Sequence, residues 1–345
     1  MKILLISPPW LSVPPKAYGG IEWVVAILAD GLVKKGYKVD LFATGDSNTR
    51  ANLRYVFDSA KSSKLGTSSM SIYDSIHISE AFKIMDDYDI VHDHSGFLVV
   101  AFSYLTNIPI LHTLHGPFNE DTKAFYGHFK DSCYFNAISE YQKKSFPILN
   151  YVDTVYNAID VDNYPYSEQK EDYLLMVSRV NPSKGTHLAV QVAKSLGEKL
   201  ILAGKIDPQD KVYFTEKVKP HIDGEQIVFL GEVSEIEKRQ LMKSAKCFLF
   251  PIQWPEPFGL VMTEAMACGT PVVALRDGSV PEVIVDGRVG YIVDSVDEMV
   301  EAVRDAKKIS PKACRDHVIT NFSPERMVEK YVTNYEKILG GLEGI

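Results

Sequence analysis

The sequence predicts an α/β protein of two doubly wound domains, on three observations. Its 345 residues exceed what one hydrophobic core ordinarily serves and suit two domains of about 150 to 180 residues each. Short continuous apolar runs alternate with segments of helical period, the rhythm of a parallel sheet with helices on both faces. That rhythm stops at a polar, proline-containing stretch over residues 157–171 and then starts again, as it does across an interdomain linker.

The elements follow in order. Ile3 to Ile6 is an apolar strand of the kind buried on both faces, ended by Pro8-Pro9. After a loop with Gly19-Gly20, Glu22 to Lys35 carries Val24, Val25, Ile27, Leu28 and Leu32 at helical spacing, and Gly36 stops it. Lys38 to Ala43 is the next strand. The Ser-rich stretch from Asp46 to Ser71 is longer than most connections and reads as a solvated loop or as one that holds an acceptor. Strand Asp89 to His92, helix Phe97 to Tyr104 and strands Ile108 to Thr113 and Tyr134 to Ile138 complete the first half. In the second, Tyr173 to Val177, Leu200 to Ala203, Ile227 to Leu230 and Cys247 to Phe250 are strands, and His187 to Ser195 is a helix. Ser323-Pro324-Glu325 reads as an N-cap with proline at the first helical position, opening an amphipathic helix through Met327, Tyr331 and Tyr335. The expected domains are residues 1–165, joined by the last helix at 324–345, and residues 166–323.

Composition narrows the function. Hydrophobic residues at 46% and charged ones at 24% are those of an ordinary globular protein. A net charge of -8, from 37 basic and 45 acidic residues, gives no global pull toward nucleic acid or anionic lipid, so any phosphate site is local. Lys123, His128, Lys130, Lys143 and Lys144 are diluted by Asp121, Asp131 and Glu140 and read as a solvated face. Cys133, Cys247, Cys268 and Cys314 stand singly, which suits reduced thiols in a cytoplasmic protein. No secretory leader and no apolar run of the ~20 residues needed to span a bilayer is expected.

Chemistry gathers after the strand Cys247 to Phe250. There a loop, Gln253 to Pro257, leads into a helix, Phe258 to Ala267, opened by Gly259, so N–H groups of the helix start point to the mouth of the sheet and attract phosphate. Glu256 precedes the helix, and Glu264 lies about 9 Å along it from Phe258, the span of a diphosphate. The carboxylates can take hydroxyls of a sugar and a ribose; the plain alternative is a solvated Glu264 and a Glu256 that complements the helix dipole. Arg179 and Lys184 follow a strand five positions apart. His92 and His94 end one strand, and His112 and His115 another, where α/β sites gather. Asp87-Tyr88-Asp89 and Asp160-Val161-Asp162 fit a metal-binding D-x-D pattern but sit away from the diphosphate region and read as structural. The position after the first strand reads Pro8-Pro9-Trp10, not the G-x-G-x-x-G of a dinucleotide enzyme.

Glu256-Pro257-Phe258-Gly259-Leu260, Glu264-Ala265-Met266-Ala267 and Gly269-Thr270-Pro271-Val272-Val273-Ala274 resemble the E-x7-E signature of glycosyltransferase family 4. Val177 to Gly185 and Tyr18-Gly19-Gly20-Ile21-Glu22 are similar to two further motifs of that family. The resemblance implies the GT-B fold: two facing Rossmann-like domains with parallel sheets and an interdomain cleft. It implies that Glu256 contacts the donor sugar, with Phe258, Gly259 and Leu260 on sugar and phosphate, Glu264 on the ribose, and Arg179 and Lys184 gripping the diphosphate. Gly19 and Gly20 then line the donor phosphates, His115 is the histidine near the reaction centre, and Tyr18, His92 and His94 are in the sugar or acceptor vicinity. Pro8-Pro9-Trp10, Pro14-Pro15, Ala17 to Gly20 and Leu41 to Ser47 resemble the branch of avilamycin-pathway glycosyltransferases and tetrahydrobiopterin glucosyltransferases. That branch implies UDP-glucose as donor and a small soluble acceptor. Ala158 departs from the family's hinge motif, which has glycine there.

The expected reaction is retaining hexosyl transfer to a hydroxyl, with no metal and no cofactor, because two fixed cations stabilise the departing diphosphate. No second carboxylate nucleophile is evident, so front-face displacement is expected. A nucleotide-sugar epimerase and a non-catalytic sugar-nucleotide binding protein are the alternatives.

Overall fold

The computed structural model describes residues 1–16 and 18–341; Ala17, and residues 342–345 of the expected last segment, lie outside the described residues. The chain forms two compact units, residues 1–159 with the segment that starts at Pro324, and residues 160–323. The division falls before the expected 165/166. Arg315 explains the difference: its guanidinium donates to the carbonyls of Val161 (3.1 Å), Tyr164 (2.9 Å) and Ala267 (2.7 Å) and so fastens the linker to the second unit.

The first unit holds a seven-stranded sheet of β1 (Lys2–Ile6), β2 (Lys38–Ala43), β3 (Asn52–Tyr55), β4 (Ile90–Asp93), β5 (Ile110–Thr113), β6 (Tyr134–Ala137) and β7 (Tyr151–Thr154). The order is β3-β2-β1-β4-β5-β6-β7, all parallel. The second unit holds β8 (Leu174–Val177), β9 (Leu200–Ala203), β10 (Ile227–Phe229), β11 (Cys247–Phe250), β12 (Val272–Leu275) and β13 (Gly290–Val293), in the order β10-β9-β8-β11-β12-β13 and again all parallel. Each unit is therefore doubly wound, with a switch point where the winding reverses: between β1 and β4 in one and between β8 and β11 in the other. The central strand β1 is apolar apart from its first residue because both faces of the sheet are covered; Ile3, Leu4, Leu5 and Ile6 are all fully buried.

Two expectations change. The polar stretch over residues 46–71 contains the edge strand β3, whose Asn52 and Arg54 side chains each donate to Asp40 of β2 at 2.9 Å. Those bonds, rather than an apolar pattern, fix its register. The helix expected over residues 97–104 ends at Ala101 and tightens into a 3-10 turn at Ser103–Leu105.

The helix Pro324–Leu339 belongs to the first unit and buries Met327, Val328, Tyr331, Tyr335 and Ile338. It packs on the helix Gly20–Lys34 at Gly31, where a Cβ would lie 2.5 Å from Val328 Cγ2. Buried tyrosine hydroxyls need partners: Tyr335 meets His92 Nδ1 at 2.6 Å, and Tyr331 meets Thr113 at 3.2 Å and Asn136 Nδ2 at 3.1 Å.

Candidate functional site

At the β8/β11 switch point the two following loops are interlocked. Asn181 Oδ1 accepts from the Lys184 N–H and the Ser183 hydroxyl, both at 2.9 Å, and winds Pro182–Lys184 into a 3-10 turn. Gly185 follows at φ 71°, and a Cβ there would stand 1.9 Å from the Pro251 carbonyl oxygen, so only glycine lets the loops approach this closely. The Gln253 N–H donates to Ser183 O at 2.8 Å and completes the join.

The join brings Lys184 onto Glu256. Their ion pair is largely shielded, with side chains 14% and 13% exposed. Trp254 Nε1 donates to the same Glu256 oxygen at 2.9 Å, and the Lys184 ammonium lies 4.7 Å from the Trp254 ring centroid. The Glu256 backbone is held as firmly: Ser279 N donates to its carbonyl at 2.9 Å, and a Cβ on Gly278 would fall 2.3 Å from that oxygen.

The next helix is Leu260–Ala267, two residues later than expected, because Gly259 at φ 78° is the left-handed residue that opens it. Phe258 stays outside the helix, buried, with its carbonyl accepting from the Ser279 hydroxyl at 2.9 Å. Glu264 is not a solvated helix residue: it is 8% exposed and accepts from Tyr164 OH at 2.9 Å and Lys238 Nζ at 3.0 Å. Burial works against the Lys238 charge, but the carboxylates of Glu264 and Glu235 outweigh it and hold the ammonium above its usual range. Arg179 is 40% exposed at the side chain and pairs with Asp207 at 3.6 Å, beside Lys205 at 2.9 Å from the same carboxylate. Sequence reasoning missed Trp254, Lys238, Tyr164 and Asp207. Only Trp254, two positions before Glu256, carried a local signal.

In the first unit, Tyr18 is 68% exposed, and Gly19 sits where a Cβ would meet Pro15 Cβ at 2.7 Å and Leu11 Cδ1 at 2.8 Å. Gly20 starts the helix. The four histidines separate into different roles. His92, expected in the sugar or acceptor vicinity, gives both ring nitrogens to the protein, to Tyr335 at 2.6 Å and Thr113 at 2.8 Å, and is fully buried as a post under the last helix. His112 is fixed by Asp93 at 2.6 Å and Tyr126 at 3.2 Å. His94 Nδ1 and His115 Nε2 are 2.8 Å apart, one ring donating to the other. Burial, then the charge of His112, pushes the His115 imidazole down to about 3, and burial with neighbouring histidines pushes His94 down as well. Both shifts favour the neutral imidazole.

Glu22, in the first turn of the helix Gly20–Lys34, is 5% exposed, and its carboxylate accepts from its own backbone N–H and from no side chain among the described residues. Burial, only partly offset by that bond, raises it to about 7 from 4.5. Between those values the folded chain keeps a proton that the unfolded chain has lost, so stability falls as pH rises and the full penalty applies above about pH 7. Glu22→Gln accordingly raises the melting temperature at pH 8, with an upper bound of about 3 kcal/mol, and leaves it unchanged near pH 4; an equal shift at both pH values in thermal melts contradicts this.

One aspartate of each D-x-D pair is bonded within its own unit: Asp89 accepts from Lys2 N at 2.7 Å, and Asp160 from Asn163 Nδ2 at 2.8 Å. Among the described residues no helix is long and apolar enough to cross a membrane.

Two doubly wound Rossmann-like units, one carrying a glycine-held acid and base at its switch point, define a GT-B glycosyltransferase. Residues 163–319 match the family described as Glycosyl transferases group 1 and residues 18–162 match Glycosyltransferase Family 4, and the chain belongs to glycosyltransferase family 4. An uncharacterized glycosyltransferase of Methanocaldococcus jannaschii is 27% identical over 82% of this chain and 83% of its own length. The N-acetyl-alpha-D-glucosaminyl L-malate synthase of Bacillus anthracis is 28% identical, over 54% of each chain. Among solved structures, AviGT4, a glycosyltransferase of avilamycin A biosynthesis, superposes with a TM-score of 0.74 at 26% identity, over 99% of this chain and 98% of that one. Anabaena HepE in complex with UDP and glucose superposes with a TM-score of 0.76 at 17% identity, over 98% and 100%.

Proposed function

We propose that the protein transfers a hexose, glucose, from UDP-glucose to a hydroxyl of a small soluble acceptor, with retention at the anomeric carbon and without a metal. The observation that carries the reading is the largely shielded Lys184, Glu256 and Trp254 group beside the opening of the helix Leu260–Ala267. In it Glu256 takes sugar hydroxyls. The N–H groups of Phe258, Gly259 and Leu260 and the cations of Arg179 and Lys184 meet the diphosphate as it departs with the bonding electrons, and Glu264 takes the ribose hydroxyls. The released phosphate oxygen accepts the acceptor's proton as the new bond forms on the same face. Gly19 and Gly20 lie along the phosphates, Tyr18 and His94 serve the acceptor side, and the neutral His115 ring contacts the sugar without opposing its positive charge. The uridine and glucose assignment draws on the ligands named for HepE and on the avilamycin branch likeness; a cytoplasmic setting suits the four free, buried thiols.

Incubation with UDP-glucose in EDTA, followed by NMR of the products, tests the reading. UDP release with an α-configured glucosyl product or α-glucose is expected. A strict requirement for divalent metal, a β product, or conversion of UDP-glucose to its epimer without UDP release overturns it.

A further inference from the structure

The first unit has its own switch point, and among the described residues it holds buried polar atoms without a hydrogen-bond partner. Ser7 follows β1 and His94 follows β4; the pairing of Ile6 with Asp93 and the bond from His94 N to Ile6 O at 2.9 Å set the two residues side by side. Alternation then fixes their face. Ile6 packs with Phe42 and Ile78 on one side of the sheet, so Ser7 turns to the other. His94 follows His92 by two positions, with ring centroids 4.2 Å apart, onto the side that Tyr331 and Tyr335 cover. The helix Gly20–Lys34 packs on the same side, as its contact with Val328 shows. Its sheet-facing stripe is Glu22, Val25, Ala29 and Leu32, which places Glu22 at the end of the helix nearest the loop from β1.

Ser7 and His94 thus stand side by side at the carboxyl ends of β1 and β4, with Glu22 in the first turn of the helix that follows β1, and each keeps a polar atom that no side chain among the described residues satisfies. Among the described residues, Ser7 Oγ and His94 Nε2 are buried atoms without a hydrogen-bond partner, in residues 0% and 2% exposed, and the Glu22 carboxylate accepts from its own backbone N–H and from no side chain. Leaving such groups unpaired in the interior is unfavourable, and a ligand that satisfies them recovers the loss. A serine hydroxyl, an imidazole nitrogen and a carboxyl group together offer the donors and acceptors that adjacent alcohols require. Open α/β sheets take ligands at this position.

We propose that Ser7, Glu22 and His94 form the acceptor's hydroxyl-binding subsite and select a polyhydroxylated acceptor, which presents neighbouring hydroxyls, over a simple alcohol. The inference rests on the donor reading above and extends it to the substrate class of the acceptor. His94 also contacts His115 through its other nitrogen, so an occupied subsite is coupled directly to the residue placed beside the sugar.

The test uses D-glucose as the acceptor probe with saturating UDP-glucose, reading UDP release, in the wild type and in Ser7→Ala and Glu22→Gln, the second nearly isosteric and both checked by thermal melts. The expected result is a KM for D-glucose raised roughly tenfold or more in each variant, with the KM for UDP-glucose within about twofold. Cyclohexanol, with a single hydroxyl, is expected not to compete. A rise in the UDP-glucose KM instead assigns the groups to the donor sugar and overturns the proposal. No change in either constant reduces the three groups to an internally hydrated site and also overturns it. So does wild-type UDP release that D-glucose fails to stimulate. A wild type that neither binds nor consumes UDP-glucose fails the donor reading instead, and the two failures are distinct.

Discussion

Lys184→Ala lowers turnover at saturating donor by roughly 10²- to 10³-fold, at least as strongly as it weakens donor binding. The ammonium is held in place before any charge develops: Asn181 winds the turn beneath it, Glu256 pairs with it, and the Trp254 ring lies 4.7 Å away. A preorganised cation of this kind stabilises a leaving diphosphate more than a bound one, because the charge it meets grows as the glycosidic bond breaks. Loss of the lysine also leaves Glu256 with Trp254 Nε1 and no counter-charge, in a site that is 13% exposed at that side chain. Steady-state kinetics with UDP-glucose separate the effects; full turnover at saturating donor in the variant sinks the assignment. Lys184→Arg is expected to recover only part of the rate, since a planar fork does not fit the position of a compact ammonium.

Gly278→Ala reaches the same carboxylate without touching any group that does chemistry. Its φ of 54° disfavours an L side chain, and the added Cβ would lie 2.3 Å from Glu256 O and 2.5 Å from Glu256 N, both backbone atoms. The loop must move, and a displacement on the order of 1 Å in a positioning residue costs about 100-fold in rate. Gly287→Ala is the matched control, since Gly287 has φ 70° and nothing within 4 Å of its Cβ position. Both variants lose about 1–2 kcal/mol of stability to the left-handed backbone, but only Gly278→Ala loses turnover. Equal activity in the two, measured beside their melting temperatures, contradicts the view that Gly278 sets the position of Glu256.

Much of this arrangement was readable from residues alone, for identifiable reasons. Strands buried on both faces announce themselves as unbroken apolar runs, so β1, β8, β9 and β11 were legible. The edge strand β3 was not, because Asn-Leu-Arg-Tyr is held by polar bonds to Asp40, which only the folded sheet brings near. Glu256 and Glu264 were legible as a motif, whereas their neighbours were not: Lys238 lies 26 positions from Glu264 and Tyr164 lies 100. The histidines show the limit most clearly. His92 and His94 stand two apart at the end of one strand, and nothing local says that one is locked by Tyr335 and Thr113 while the other keeps a buried nitrogen unpaired.

The return of the last helix to the first sheet governs the order in which the molecule is made. Tyr335 meets His92 across 243 residues, and Tyr331 meets Thr113 across 218. On the ribosome the amino-terminal sheet therefore emerges first and is finished last: its histidine and threonine hydrogen bonds wait until the whole of the other unit, residues 160–323, has been synthesised. The later unit has all of its own strands in one continuous stretch and can fold autonomously in the interval, while the earlier one stays open along the seam that the terminal tyrosines close.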